Sequence, residues 1–198
     1  MHRRSLALVA LLLALAVPMS ASQFIELPFD QVAREARYVV RGTVVDSWSA
    51  WDDSREVIYT YATVRVTRYF GETTGPDVLM VRNVGGTVDG YTQEAVGFPV
   101  IRRGEQAVFF LSGDDSALEI HAYSQGKFLV RQRDGVEVLV ADPVKQGDAR
   151  LDRGPRFNIS TNAIDANASA ITLDEFAAMV DDARAGLTPG RSVLRQQN

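Results

Sequence analysis

The spacing of hydrophobic and polar positions changes several times along this chain. An apolar run over residues 6–17 follows Arg3-Arg4 and gives way to Pro18-Met19-Ser20-Ala21-Ser22. A basic start, a run too short to span a bilayer and small residues at its exit make the pattern of a secretory signal peptide, with cleavage expected near Ser22. Phe29, Val32, Ala33 and Ala36 then fall at i, i+3, i+4 and i+7, which predicts a short amphipathic helix. Asp30 near its start and Arg34 and Arg37 near its end complement the helix dipole. From Tyr38 the period becomes two. Residues 38–48 read as a first strand, 49–55 as a polar turn and 57–69 as a second strand of unusual length. On the second strand Ile58, Ala62, Val64 and Val66 share one face, and Tyr59, Tyr61, Arg65 and Tyr69 the other. Strands of about a dozen residues exceed the usual five or six and point to a coiled strand serving two parts of a curved sheet.

Further strands are predicted over 77–82, 106–111, 117–124, 127–132 and 136–141, with the Asp134-Gly135 pair marking a tight hairpin. Residues 142–170 are rich in Pro, Gly, Asn, Asp and Arg and read as a surface loop. Thr172 and Glu175 have the spacing of a capping box. Behind them Leu173, Phe176, Ala177 and Val180 form an apolar stripe that Gly186 ends. The pattern predicts a mainly β (α+β) fold: a small OB-like or Greek-key antiparallel β-barrel over residues 23–141 with a short N-terminal helix. A C-terminal helix over 171–186 packs on the barrel, and residues 187–198 form a frayed tail.

Composition narrows the chemistry. The 198 residues include 21 Lys+Arg, 25 Asp+Glu, two His and no Cys. Without cysteine there is no disulfide, thiol nucleophile or thiolate metal site. Loss of residues 1–22 removes His2, leaving His121 alone, so a zinc site of several histidines is excluded within one chain. A Ser-His-Asp triad could form only around His121, and a lone histidine between Ile120 and Ala122 reads first as a structural residue. The acidic balance gives no footprint for nucleic acid. No second apolar run is long enough for a membrane span, and nothing calls for a cofactor or metal.

The segment Val32-Ala33-Arg34-Glu35-Ala36-Arg37-Tyr38-Val39-Val40-Arg41-Gly42-Thr43-Val44 is followed by Tyr59-Thr60-Tyr61-Ala62-Thr63-Val64-Arg65-Val66 and Tyr69-Phe70-Gly71. Together they resemble the opening of netrin-like (tissue-inhibitor-of-metalloproteinase-like) OB-fold domains, over residues 32–71. The resemblance implies an OB-like fold and a binding module. In the metalloproteinase inhibitors a mature N-terminal cysteine coordinates the protease zinc; this chain has none, so that mechanism is not implied. The chain is also similar to secreted bacterial proteins without an assigned activity, through Gln125-Gly126-Lys127-Phe128 and the terminal Leu173-Asp174-Glu175-Phe176.

Three groups of residues are candidate sites. Gly85, Gly86, Asp89, Gly90 and Tyr91 lie in a glycine-rich stretch that either presents a recognition loop or forms a bulged hairpin closing the barrel. Trp48, Trp51, Tyr59, Tyr61 and Tyr69 gather on the first two strands. They make an aromatic platform for a peptide or sugar if exposed, and ordinary core if they face the C-terminal helix. Asp46, Asp52, Asp53 and Glu56 could offer oxygen ligands to calcium, or form a solvated acidic turn. Asn158 and Asn167 match the glycosylation pattern, which matters only in a eukaryotic secretory route.

The expected function is a secreted or periplasmic non-enzymatic module that binds a protein or peptide, with a co-secreted protein or protease as partner. Two alternatives stand beside it: a carboxylate-based hydrolase using Asp89 and Glu94, and a structural envelope or matrix component.

Overall fold

The computed structural model describes residues 27–142, apart from 115 and 117, and residues 171–187. The expected signal peptide, Asn158, Asn167, the span 143–170 and the tail from 188 onward lie outside the described residues. Helix α1 (Phe29–Glu35) follows the predicted stripe, with an Asp30–Arg34 ion pair at 2.8 Å. Two long strands come next, β1 (Tyr38–Trp51) and β2 (Ile58–Phe70), joined by a turn whose Asp52 gathers the chain around its carboxylate. They are followed by β3 (Val78–Val84), a small hairpin of β4 (Gly86–Val88) and β5 (Tyr91–Gln93), then β6 (Gln106–Ser112) and β7 (Leu118–Ile120). The chain ends with β8 (Lys127–Arg133), β9 (Val136–Ala141), β10 (Ile171–Thr172) and helix α2 (Leu173–Arg184).

Five strands form a partial barrel-like ring in the order β1-β2-β3-β7-β6 and back to β1. The ring is thin where β7 joins it, with two residue pairs to β3 and two to β6. From β6 the sheet continues through β8 and β9 to β10. One pairing departs from the expected antiparallel barrel: β3 and β7 run parallel. A ring with an odd number of strands cannot alternate direction all the way round. Both β3 and β7 lie two antiparallel steps from β1, so they point the same way where they meet.

The register of β1 on β2 shifts twice. Val66 pairs with Gly42 while Arg68 pairs with Arg41, so Thr67 is an extra residue. Thr63 pairs with Asp46 while Val64 pairs with Val44, so Val45 is another. Each bulge bends the ladder and reverses which side chains face inward. Tyr69 therefore joins the barrel interior, its ring edge-on to Tyr38 at 5.7 Å, although Tyr59 and Tyr61 point outward. The single tyrosine face expected from strict alternation is corrected for this reason. Gly42 sits where the ladder tightens: a Cβ there would come within 2.5 Å of the Val64 side chain and 2.8 Å of the Arg65 carbonyl oxygen.

Two apolar clusters share the central strands. Val40, Val44, Ala62, Val64, Leu79, Val81, Phe109 and Leu111 fill the ring. Val39, Phe70, Val108, Phe110, Phe128 and Val130 face the other way and are covered by α1 and α2. Both faces of β1 and β6 are therefore buried at their paired ends, which explains the continuous apolar run Ala107-Val108-Phe109-Phe110-Leu111. The capping box on α2 is present in full: the Glu175 N–H donates to Thr172 Oγ1, and the Thr172 N–H to Glu175 Oε2. At the far end of α2, Arg184 donates to Ala33 O, Ala36 O and Gly71 O and bonds Thr73 Oγ1. It ties α1 and the β2–β3 loop to the helix, and burial pushes its guanidinium below the ordinary arginine pKa.

The strand expected over 117–124 stops at Ile120. Ala122 and Tyr123 both have positive φ, 57° and 55°, and the chain closes a 3₁₀ turn over Tyr123–Gly126 instead. Gly126 is required there, because a Cβ would lie 1.9 Å from the His121 carbonyl oxygen.

Candidate functional site

Beyond the ring, β1 and β2 continue as a hairpin, with β3 alongside β2, and most of the aromatic residues singled out above lie here. Alternation places them on two faces. On the solvent side, Trp48 stacks on its cross-strand partner Tyr61, ring centroids 5.7 Å apart and planes at 15°. Tyr59 lies next to Tyr61 at 6.4 Å, and the Arg82 guanidinium of β3 sits over the Tyr59 ring at 5.0 Å. Arg82 is held there by Glu119 of β7, 2.7 Å away, and that bond raises its already high pKa. Trp48 is 41% exposed, and Met80 and Val78 of β3 are similarly open. The C-terminal helix covers the opposite end of β2, around Phe70, so Tyr59 and Tyr61 are not its core.

The other face carries the glycine-rich segment. Ile58 and Ala62 are buried on this face, and Ser49 Oγ lies 3.2 Å from Thr60 Oγ1. Gly85 N–H donates to Ile58 O, and Thr60 Oγ1 donates to Gly85 O. Gly86 rests directly on the pair: a Cβ would meet Ser49 Oγ at 2.4 Å and Thr60 Oγ1 at 2.7 Å. Contact of this closeness, with a φ of 148°, is why glycine stands here. Asp89 and Gly90, both at positive φ, make the two-residue turn of the β4–β5 hairpin. Its Tyr91, 67% exposed, meets the Trp51 ring at 6.0 Å. This hairpin is a separate two-stranded sheet and does not close the barrel; β7 does that.

The predicted residues thus divide into two sets. Trp51, Gly85, Gly86 and Tyr91 come together on one face and Tyr59 and Tyr61 on the other, with Asp89 and Gly90 at the hairpin tip. Glu94 follows the other end of β5, three residues from Tyr91, or about 10 Å along an extended chain. Asp89 and Glu94 thus mark the tip and the base of the hairpin. Both oxygens of Asp52 already accept hydrogen bonds: Ser54 Oγ donates to one oxygen, and the Glu56 and Val57 N–H groups donate to the other at 2.8 Å. Those bonds, the hydroxyl's foremost, hold its carboxyl below the ordinary value. Among the described residues no three His, Asp or Glu side chains are grouped to hold a metal.

His121 Nε2 lies 3.4 Å from Glu35 Oε2 on α1. Two surface hollows, one beside Gln106 and Arg131 and one between Arg68 and Asp174, include none of the predicted site residues. Arg82 and Glu119 were not singled out from sequence. They are joined only by the parallel β3–β7 pairing, which no local pattern announces. No protein-family model, curated protein or solved structure matches the chain.

Proposed function

We propose that this protein is a secreted or periplasmic non-enzymatic module that binds a protein or peptide partner through the aromatic end of its β1–β2 hairpin. The observation that carries the proposal is the solvent-side cluster of Trp48, Tyr61, Tyr59 and Arg82. Tryptophan, tyrosine and arginine are the residue types that dominate the energetics of protein interfaces. Here each is fixed by a ring or ion-pair neighbour, so little side-chain freedom remains to be lost on binding. The likeness of residues 32–71 to netrin-like openings supports a binding role. The apolar run over residues 6–17 supports export.

The test is retention of partners from the producer's culture fluid and periplasmic extract on the immobilised protein, beside a Trp48→Ala/Tyr61→Ala variant whose circular dichroism is unchanged. We expect a defined polypeptide held in near-stoichiometric amount by the wild type and reduced at least about tenfold by the variant. Equal retention by the two proteins, or retention of cell-wall polymer alone, overturns the reading.

A further inference from the structure

We propose that the outer edge of β1 at Ser49 and Trp51 takes up an extended segment of the partner polypeptide as an added β-strand. This rests on the binding reading above and specifies its mode. Asp52 N–H donates to Val57 O at 2.8 Å, so these two residues form a hydrogen-bonded pair of the ladder. Antiparallel pairs alternate between bonded and non-bonded. Counting back, Ala50–Tyr59, Trp48–Tyr61 and Asp46–Thr63 bond across to β2. The N–H and C=O groups of Ser47, Ser49 and Trp51 therefore point the other way.

On that side β6 has already ended. Its last pair with β1 is Thr43–Gln106, after which Val44 exchanges bonds with Glu105 and Gly104. Asp46 Oδ1 accepts the Ser47 N–H at 2.9 Å and the Ser47 hydroxyl donates to Ile101 O at 3.4 Å, so the edge is closed at Ser47 and opens beyond it. Among the described residues no backbone group pairs with Ser49 or Trp51 there. Proteins normally guard such edges, because unpaired N–H and C=O groups in register recruit another strand.

The side chains here suit recruitment. Trp48 and Trp51 straddle the edge on opposite faces, Trp48 with Tyr61 and Trp51 with Tyr91. A strand added about 4.8 Å away would lay alternate side chains beside each indole. Charge selects the occupant. The hairpin tip carries Asp52, Asp53 and Glu56 against Arg55 alone, so the segment that fits has alternating apolar side chains and a Lys or Arg where it meets the tip. A second copy fits poorly: antiparallel self-pairing centred on Ser49 would set Asp46 of one copy against Asp52 of the other, and opposed like charges destabilise a ladder.

Both tryptophans of the chain lie on this edge, so their fluorescence reports its occupation, and amide hydrogen exchange reports its hydrogen bonds. The probe is a short synthetic peptide of alternating valine and threonine with lysine at both ends. It is compared with the same peptide N-methylated at alternate amides and with glutamate replacing lysine. We expect a saturable fluorescence change and at least about tenfold slower exchange at Ser49 and Trp51, both lost on N-methylation and weakened about tenfold by glutamate. Ser49→Pro, checked for fold by circular dichroism, should abolish the change. A fluorescence change without protection of these amides, or equal binding of the N-methylated peptide, overturns strand addition and leaves the binding reading standing. No response to any peptide overturns strand addition too, and the Trp48→Ala/Tyr61→Ala comparison then judges the binding reading separately. Protection that rises with protein concentration alone would assign the edge to self-association and also overturn the proposal.

Discussion

Lys127 has no accessible surface. Its Nζ lies 2.7 Å from Glu105 Oε1 and 2.9 Å from Asp142 Oδ2 and donates to Val100 O. Removing one member of such a group leaves its partners as uncompensated buried charge, which costs more than the pair contributes. Lys127→Met should lower stability by about 3–5 kcal/mol, read as a fall in the urea midpoint. Adding Glu105→Gln and Asp142→Asn should restore most of it. A Lys127→Met midpoint equal to wild type would show that the ammonium is not needed. Asp52 gives a pH-dependent counterpart. Its folded pKa is depressed, so its contribution is present above the ordinary value of 3.8 and is lost as the pH falls through the lower folded value. The Glu56 and Val57 amide shifts should titrate with a midpoint below 3.8, and Asp52→Ala should remove that transition. The two residues differ in how legible they were. The Asp52 turn is local, and sequence marks it as polar. The partners of Lys127 come from other segments, so Gln125-Gly126-Lys127-Phe128 could be noticed as a motif without its reason. Gln125 Oε1 accepts the Leu27 N–H, Gly126 presses on His121, Lys127 is charge-paired and Phe128 enters the helix-facing core.

At the scale of elements, periodicity located both helices and the long β1–β2 hairpin, because each buries one stripe or face that repeats at its own period. It failed where two residues were added to the ladder. Val45 and Thr67 each shift the alternation by one, and no composition signal distinguishes a bulged residue from a regular one. The glycine-rich segment was legible as a loop or as a hairpin closing the barrel, and not as a two-stranded sheet of its own, since its place depends on contact with Ser49 and Thr60 some distance away in sequence. The bulge itself can be tested. Deleting Thr67 would pair Arg68 in its place and return Tyr69 and Phe70 to the faces they now avoid. Thr67→Ala keeps the extra residue and loses one hydroxyl bond to Arg41 O. The substitution should cost about 1 kcal/mol or less, while the deletion should abolish cooperative unfolding. A deletion variant with a sharp, wild-type transition would show that the register shift is dispensable.

The whole molecule is organised by two apolar clusters that meet on shared strands. Val40 and Phe109 face the ring interior, and their neighbours Val39, Val108 and Phe110 face the helices. Neither cluster can come apart without exposing one side of β1 and β6, so the described parts should unfold together. Phe176 of α2 gives the sharpest probe of this coupling. It is fully buried and meets Phe29, Phe70, Phe110 and Phe128 at centroid distances between 5.2 and 6.1 Å. Phe176→Ala removes the ring that fills the space between α1, α2 and the sheet, at an expected cost of about 3–5 kcal/mol. Both tryptophans stand at the other end of β1, on the hairpin outside the helix layer. Tryptophan fluorescence therefore follows a region that Phe176 does not touch, while far-ultraviolet circular dichroism follows the whole backbone. In a single cooperative unit the two signals coincide in wild type and move together in the variant. A circular dichroism transition that shifts while the fluorescence transition stays in place would divide the molecule into a helix-capped sheet and an independent hairpin. The aromatic end would then be free to move against the barrel, and the fixed edge that strand addition requires would be lost.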